Sequence, residues 1–205
     1  QSVNQLQAAT QMVYQQQGQV LHHDFTELLM LDTDLTGLPA SRHAQDSEKG
    51  YFSGSKNTYG RQLVRVSAPT YHETLLSMIY PGSQNGSTTF KTSVRAVQNL
   101  LQLTREQRRQ TVWRTDGGLG TDENINWALA HDYQVLMKGY NGKRALAFSR
   151  QITDSDWYPL RADRWATFAG DGSRYGILLG PLQDGLNLPT ANVAIIAEAQ
   201  VFGSR

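Results

Sequence analysis

The chain has 205 residues, of which 39% are hydrophobic and 18% are charged, and 19 basic against 18 acidic residues give a formal net charge of +1. It contains no run of about 18 consecutive apolar residues, so no transmembrane helix is predicted. Cysteine is absent, which excludes disulfides, thiolate zinc sites and a cysteine nucleophile. The length fits one domain with or without an insertion, and the near-neutral charge by itself indicates no partner.

Residues 1–26 are predicted to form an N-terminal helical segment. The segment is rich in glutamine, and Leu6, Met12 and Val13 lie at a spacing that suits an amphipathic helix. The chain begins with Gln1 and shows no basic stretch followed by an apolar run, so no signal peptide is visible and we expect a fragment.

Residues 27–140 have the pattern of a mixed sheet. Residues 27–34 are an apolar run that ends in acids, which is typical of a strand buried on both faces. The further predicted elements are strands 62–68 and 74–80, helix 88–103 with Ser87 and Thr88 as possible caps, strand 111–116, a helix from residue 121 or 122, and strand 133–137. Three strands followed by alternating helices and strands predict a mixed α/β sheet with helices on its faces.

Residues 141–205 are predicted to be a β-rich extension. Short strands are expected at 145–149, 164–168 and 175–179, separated by turns that contain aspartate and glycine. Residues 190–202 are apolar and fit a helix or a strand equally well.

Two of the predicted strands end in an aspartate, Asp34 in the first and Asp116 in the later one. Ligand sites of α/β sheets collect at the carboxyl ends of strands, and carboxylate oxygens are the ligands that Mg²⁺ or Mn²⁺ prefers. The alternative is that each acid caps a turn, as aspartate before glycine often does. The spacing alone does not decide between a metal site and two turns.

Three stretches, Leu31–Thr36, Lys49–Phe52 and Arg114–Ile125, resemble the DDE transposases of bacterial insertion sequences. The resemblance covers roughly residues 27–150, and its most specific part is a strand that ends in Arg-x-Asp before a glycine and a helix. It implies an α/β fold with a ribonuclease H-like catalytic core over residues 27–140, followed by an incomplete β-rich extension.

The resemblance also assigns the acids. In that family the first catalytic aspartate lies in an Asp-x-Thr element, which matches Asp34, and Asp32 remains an alternative to it. The second lies in the Arg-x-Asp element, which matches Asp116. The family's acids hold two divalent ions, Mg²⁺ or Mn²⁺, about 3.5–4 Å apart for in-line phosphoryl displacement.

The implied activity is metal-dependent DNA strand cleavage and strand transfer at insertion-sequence ends. The implied partner is double-stranded DNA, both the transposon ends and the target, and the DNA complex is expected to contain a homodimer. No membrane partner is implied, and the expected location is the bacterial cytoplasm, at the nucleoid.

Four basic residues are candidates for DNA phosphate contacts. Lys49, Lys56 and Arg61 follow the first acid in what is predicted to be a loop near the sheet edge, and the alternative is a solvated hairpin. Arg114, two residues before Asp116, alternates onto the same strand face, where it would orient a carboxylate or meet a phosphate.

The third acid of the family is missing from its pattern. That acid is a glutamate that follows a tyrosine by seven residues and an arginine by four, and Glu198 would need them at positions 191 and 194. The chain has Ala191 and Ala194 there. The simplest interpretation is that the chain stops, or loses its frame, before the third acid.

Two other functions remain open at this point. One is a DNA-binding or structural remnant that keeps the fold without catalysis. The other is an α/β enzyme that binds phosphate on the Gly117–Gly120 loop, although this loop lacks the lysine and the full glycine pattern of nucleotide-binding loops.

Overall fold

The computed structural model describes residues 2–52, 54–116, 118–137, 158–161, 164–170, 174–181 and 194–200. The side chains described are those up to residue 137, apart from residues 2–7, 10, 11, 55 and 56. The chain divides into two compact units, residues 1–114 and residues 115–205.

The first unit begins with helix α1 (Ser2–Gln17) and a short 3-10 helix (Gln19–His22), which confirms the predicted helix. The Glu73 carboxylate accepts hydrogen bonds from the backbone amides of Gln19 at 2.7 Å and Val20 at 3.3 Å. These bonds satisfy amides at the start of the 3-10 helix and attach the N-terminal segment to the sheet.

Five strands form the sheet of the first unit: β1 (Leu29–Pro39), β2 (Glu48–Phe52), β3 (Ser55–Ala68), β4 (Glu73–Pro81) and β5 (Thr111–Thr115). Their order is β2-β3-β1-β5, and β4 also pairs with β3. Strand β3 is antiparallel to β1, β2 and β4. Strands β1 and β5 run parallel, because the Leu29 amide bonds to the Gln110 carbonyl and, further along both strands, Arg114 bonds to Asp32. The predicted mixed sheet is confirmed.

Strand β1 does not end at Asp34 as predicted but continues to Pro39. It pairs with β3 from Asp32 opposite Ser67 to Pro39 opposite Gly60. This pairing keeps the residues after Asp34 extended, although their sequence alone is typical of a turn. The expectation of burial on both faces is also wrong, because Leu31 is fully buried while Asp34 is exposed. Alternation in a strand places successive side chains on opposite faces, so β1 has one core face and one open face.

The segment predicted as a loop around Lys49 and Lys56 is the β2-β3 hairpin, so the solvated-hairpin alternative describes its backbone. Phe52 is buried beneath it at 4% exposure, against glycine backbone. A Cβ on Gly37 would lie 2.5 Å from Cδ1 of the Phe52 ring, and a Cβ on Gly60 would lie 2.8 Å from its Cζ. The ring therefore occupies the space that side chains at these two positions would need.

Helix α2 (Gly86–Leu101) covers the core face of this sheet, where it contacts β3 and β4. Phe90 of α2 meets Trp113 of β5 edge to face at 6.0 Å, and both side chains are fully buried. The helix is capped by Asn85, earlier than the predicted Ser87 or Thr88. A short helix α3 (Arg105–Arg109), which is not among the predicted elements, begins at a capping box formed by Thr104 and Gln107.

The second unit contains helix α4 (Asp122–Ala130), capped by Thr121, and strand β6 (Gln134–Met137), both as predicted. Its antiparallel sheet has the order β10-β9-β8-β7. The strands are β7 (Tyr158–Arg161), β8 (Arg164–Gly170), β9 (Arg174–Pro181) and β10 (Ala194–Gln200). The β-rich extension is confirmed, residues 194–200 form a strand rather than a helix, and the predicted strand 145–149 lies outside the described residues.

Candidate metal and nucleic-acid site

The open face of the first unit's sheet carries both candidates for the first acid. Asp32 and Asp34 are two residues apart on β1 and so point to the same side of the sheet. The Asp34 side chain is exposed, and its Oδ2 accepts a hydrogen bond from the Thr36 hydroxyl at 2.9 Å. Helix α2 lies on the other face, because it packs on Trp113, whose neighbour Arg114 points to the Asp32 side.

Arg114 binds Asp32 through two parallel hydrogen bonds. Its Nε donates to Oδ1 at 2.7 Å and its Nη2 donates to Oδ2 at 2.5 Å, between strands β5 and β1. The hydrogen bonds to Asp32 raise the pKa of Arg114 above its usual value. Because 48% of the Arg114 side chain is exposed, such a pair contributes at most about 1 kcal/mol to stability. Of the two roles predicted for Arg114, the structure shows the contact with a carboxylate.

The predicted phosphate contacts lie on the strands of the hairpin and not in a loop. Lys49 on β2 lies opposite Tyr59, and its Nζ is 5.6 Å from the centre of the Tyr59 ring. Arg61 on β3 is half-buried and lies opposite Leu38 of β1. Lys56 also belongs to β3, but its side chain lies outside those described. Contact of these bases with phosphate stays a prediction.

One basic residue on the open face belongs to the same sequence cluster as Lys49, Lys56 and Arg61 but was not selected as a phosphate contact. Arg65 of β3 is exposed and lies directly opposite Asp34 in the β1-β3 ladder. The available signal was the four-residue spacing from Arg61, which places both arginines on the same side of a strand. It could be used only after the register with β1 was known.

In the second unit, Asp116 directly follows β5 and begins a turn. Its exposed carboxylate accepts a hydrogen bond from the Gly118 amide at 3.0 Å through Oδ1. The turn-capping alternative therefore describes Asp116 in this structure, which does not prevent its other oxygen from binding a ligand. Asp34 and Asp116 belong to different units, and their predicted approach to each other stays a prediction.

Among the described residues of the loop after Asp116, three backbone amides already have hydrogen-bond partners within the loop. The Gly118 amide bonds to Asp116 Oδ1, the Leu119 amide to the Asp116 carbonyl, and the Thr121 amide to the Leu119 carbonyl. Phosphate cradles need several backbone amides directed at the ligand. These internal bonds argue against the phosphate-binding alternative.

No group of three or more histidine, aspartate and glutamate side chains that could hold a metal occurs among the described residues. Glu198 lies in strand β10, where its backbone pairs with Gly176, whereas the family's third acid lies on a helix. Its side chain is not among those described, and its rejection as the third acid rests on the sequence pattern. None of the helices described is both long and apolar enough to cross a membrane.

No protein-family model matches the chain, and no curated protein matches it. Among solved structures, the chain is similar to a piggyBac transposase in a cryo-EM structure of its synaptic complex with hairpin DNA. The TM-score is 0.51 at 13% sequence identity, over 87% of this chain and 34% of that chain. At this identity the likeness concerns the fold alone. The fold is a mixed α/β arrangement, consistent with the predicted ribonuclease H-like fold, and the chain spans about a third of the length of the transposase chain.

Proposed function

We propose that this chain supplies the core of a DDE-type transposase of the bacterial insertion-sequence kind, which cleaves DNA at the element's ends and transfers the strands. The observation that supports the proposal is the order of the strands that bear or precede the two acids, on a fold similar to that of a transposase. Strand β1 carries Asp34, strand β5 directly precedes Asp116, and β1 and β5 are parallel neighbours. The same element order is what the sequence resemblance implies.

The donor chemistry of the two aspartates fits a hard divalent cation. Asp34 and Asp116 are exposed carboxylates, and Mg²⁺ or Mn²⁺ is commonly held by one or two carboxylates together with substrate phosphate. Asp32 is the weaker candidate, because both of its oxygens already accept hydrogen bonds from Arg114. A bound ion would lower the pKa of an attacking water or 3′-hydroxyl and stabilise the leaving oxygen.

The residues of the chain itself would position the reacting groups. Asp34 and Asp116 would orient the phosphate through the ions that they hold, and Thr36 would fix the rotamer of Asp34 through its hydrogen bond. Lys49, Lys56 and Arg61 would hold the backbone of double-stranded DNA, because phosphate contacts set the register of a protein on DNA. A homodimer in the DNA complex is part of the proposal.

The test measures Mn²⁺ binding and plasmid nicking by the full chain. Asp34→Asn and Asp116→Asn should each weaken Mn²⁺ binding, followed by calorimetry, by at least about tenfold, because each removes a charged ligand. Asp46→Asn is the matched control, since Asp46 is exposed and its positive φ of 57° is one that asparagine tolerates. Supercoiled plasmid with Mn²⁺ reports nicking, which both ligand variants should abolish. Unchanged Mn²⁺ affinity in both variants would contradict the assignment of the acids.

A second candidate is a DNA-binding remnant without catalysis. It is favoured by the sequence pattern, in which Glu198 lacks the tyrosine and arginine that accompany the family's third acid, because two carboxylates bind a divalent ion weakly. This candidate predicts salt-dependent binding of duplex DNA together with no nicking by the wild-type chain at any Mn²⁺ concentration. Nicking that Asp34→Asn removes would exclude it.

A further inference from the structure

Two arginines lie next to the acids of the open face, and they are in different situations. Arg114 is held by Asp32 through two hydrogen bonds. Arg65 lies directly opposite Asp34, with its side chain exposed, and no carboxylate is hydrogen-bonded to it within the described part of the chain. Opposite residues of an antiparallel pair have Cβ atoms about 4.5–5.5 Å apart, so the Arg65 side chain is close enough to contact a ligand bound to Asp34.

Arg65 is the end of a short basic row on β3. Arg61 lies four residues earlier on the same face, about 13 Å away along the strand. The residue opposite Arg61 is the exposed Leu38, and the residue of β4 opposite Leu63, between the two arginines, is the exposed Ile79. Neither Leu38 nor Ile79 carries a negative charge, so a polyanion that runs along β3 from Asp34 would meet two positive charges, Arg65 and Arg61.

The chemistry of the pair favours phosphate as the ligand of Arg65. An arginine guanidinium binds phosphate through two parallel hydrogen bonds, and it stays charged at every physiological pH. A cation held by Asp34 would repel Arg65, whereas a phosphate held between that cation and Arg65 would be attracted by both. Asp34, through its cation, and Arg65 are thus arranged to share one anion.

We propose that Arg65 contacts a DNA phosphate beside Asp34, whereas Arg114 holds Asp32. This inference rests on the proposed function, and it assigns the DNA path to strand β3 between Arg65 and Arg61.

The experiment measures binding of a fluorescent 30-base-pair duplex of arbitrary sequence to the full chain, by anisotropy over a series of NaCl concentrations at one fixed concentration of Ca²⁺, a divalent cation that also takes carboxylate ligands. Each lost phosphate contact reduces the slope of log affinity against log salt by about 0.9, and at 0.1 M salt it lowers affinity by about fivefold to tenfold. Arg65→Ala should show this loss. Arg65→Lys should keep the salt slope, because lysine keeps the positive charge. It should bind the duplex less tightly, because lysine cannot form the bidentate contact with phosphate.

Arg95→Ala is the matched control. Arg95 is also an exposed arginine, but it lies on α2, which covers the other face of the sheet. It should leave the salt slope unchanged, which separates a contact from the general loss of one charge. Because Arg65 and Arg95 are both exposed, circular dichroism should report the same fold for all variants.

The outcomes separate this inference from the proposed function. If the wild-type chain does not bind the duplex, the proposed function fails. If it binds and Arg65→Ala has the wild-type slope, only the role of Arg65 is wrong. A rise in Mn²⁺ affinity of Arg65→Ala, with an unchanged slope, would identify Arg65 as the ion-pair partner of Asp34 and would overturn the proposal.

Discussion

The packing of Phe52 against glycine backbone predicts that Gly37→Ala destabilises the first unit and that its cost depends on Phe52. The three atoms closest to the new Cβ all belong to Phe52: Cδ1 at 2.5 Å, and Cβ and Cγ at 3.3 Å. Forcing a methyl group into filled space costs about 1–3 kcal/mol, and alanine returns about 0.4–1 kcal/mol by restricting the unfolded chain. Taking the middle of each range, the expected net loss is about 1.3 kcal/mol.

A double-mutant cycle with Phe52→Ala isolates the cause. Phe52→Ala alone should cost about 3–5 kcal/mol, and in the double variant the ring that opposes the new methyl group at position 37 is gone, so the two costs should fall short of additivity by about 1 kcal/mol or more. Gly60→Ala is the comparison, because its Cβ would lie closest to the Leu38 carbonyl oxygen, which Phe52→Ala leaves in place. Its coupling to Phe52 should be smaller.

The free energy of unfolding is measured by urea titration of tryptophan fluorescence. Gly118→Ala serves as the control, since its Cβ would have only an ordinary contact, 3.4 Å from Asp116 Oδ1, and should change stability by less than about 1 kcal/mol. A loss of stability in Gly37→Ala no larger than in the control, or equal coupling of Gly37 and Gly60 to Phe52, would mean that the Phe52 ring does not exclude a side chain at position 37.

Three further predictions concern buried polarity, capping and pH. Gln62 is 4% exposed, and its Nε2 donates hydrogen bonds to the carbonyls of Tyr51 at 3.2 Å and Gly82 at 3.3 Å. Gln62→Leu should therefore lower the free energy of unfolding in urea by about 1–3 kcal/mol, and an unchanged value would contradict this. Asn85→Ala removes the α2 cap and should cost about 0.5–2 kcal/mol, whereas Asn85→Ser should be nearly neutral; equal losses would mean that the cap is unimportant. The backbone amide of Thr26 donates a hydrogen bond to the Asp24 carboxylate and thereby lowers the pKa of Asp24 below its usual value. The contribution of Asp24 to stability is present above its unfolded-state pKa and is lost as pH falls through the lower folded-state pKa. A carboxyl NMR titration of Asp24 should therefore give a midpoint below 3.8, and a midpoint above 3.8 would contradict the prediction.

The sequence predicted the strong elements because their patterns are local. The apolar stripe of α2 and the β-branched and aromatic residues of β5 each indicate one structure within a few residues. Strand β2 was missed because it is short and contains Lys49 and Gly50, which are poor strand formers, and only its ladder with β3 fixes it. Helix α3 has no apolar periodicity, but the Thr104 and Gln107 capping box was a usable signal.

The residues of the candidate site could be selected from the sequence by type, but the contacts between them could not. Asp34 and Asp116 could be selected because both follow apolar runs in stretches that resemble a known pattern. The partner of Arg114 could not be read from sequence, because Asp32 lies 82 residues away and the contact depends on the register of β1 against β5. The position of Arg65 opposite Asp34 depends in the same way on the β1-β3 register, which a shift of one residue would reverse.

Strand β3 pairs along one edge with β1 and along the other with β2 and then β4, so most of its length has a neighbour on both sides. Amide protons in the middle of such a strand reach solvent only when several ladders separate together. In a hydrogen–deuterium exchange experiment, Val64 and Val66, which are fully buried, should be among the last to take up deuterium. The strand that carries Arg61 and Arg65 would then stay rigid while its surroundings fluctuate, and a DNA chain laid along it would meet charges at fixed intervals.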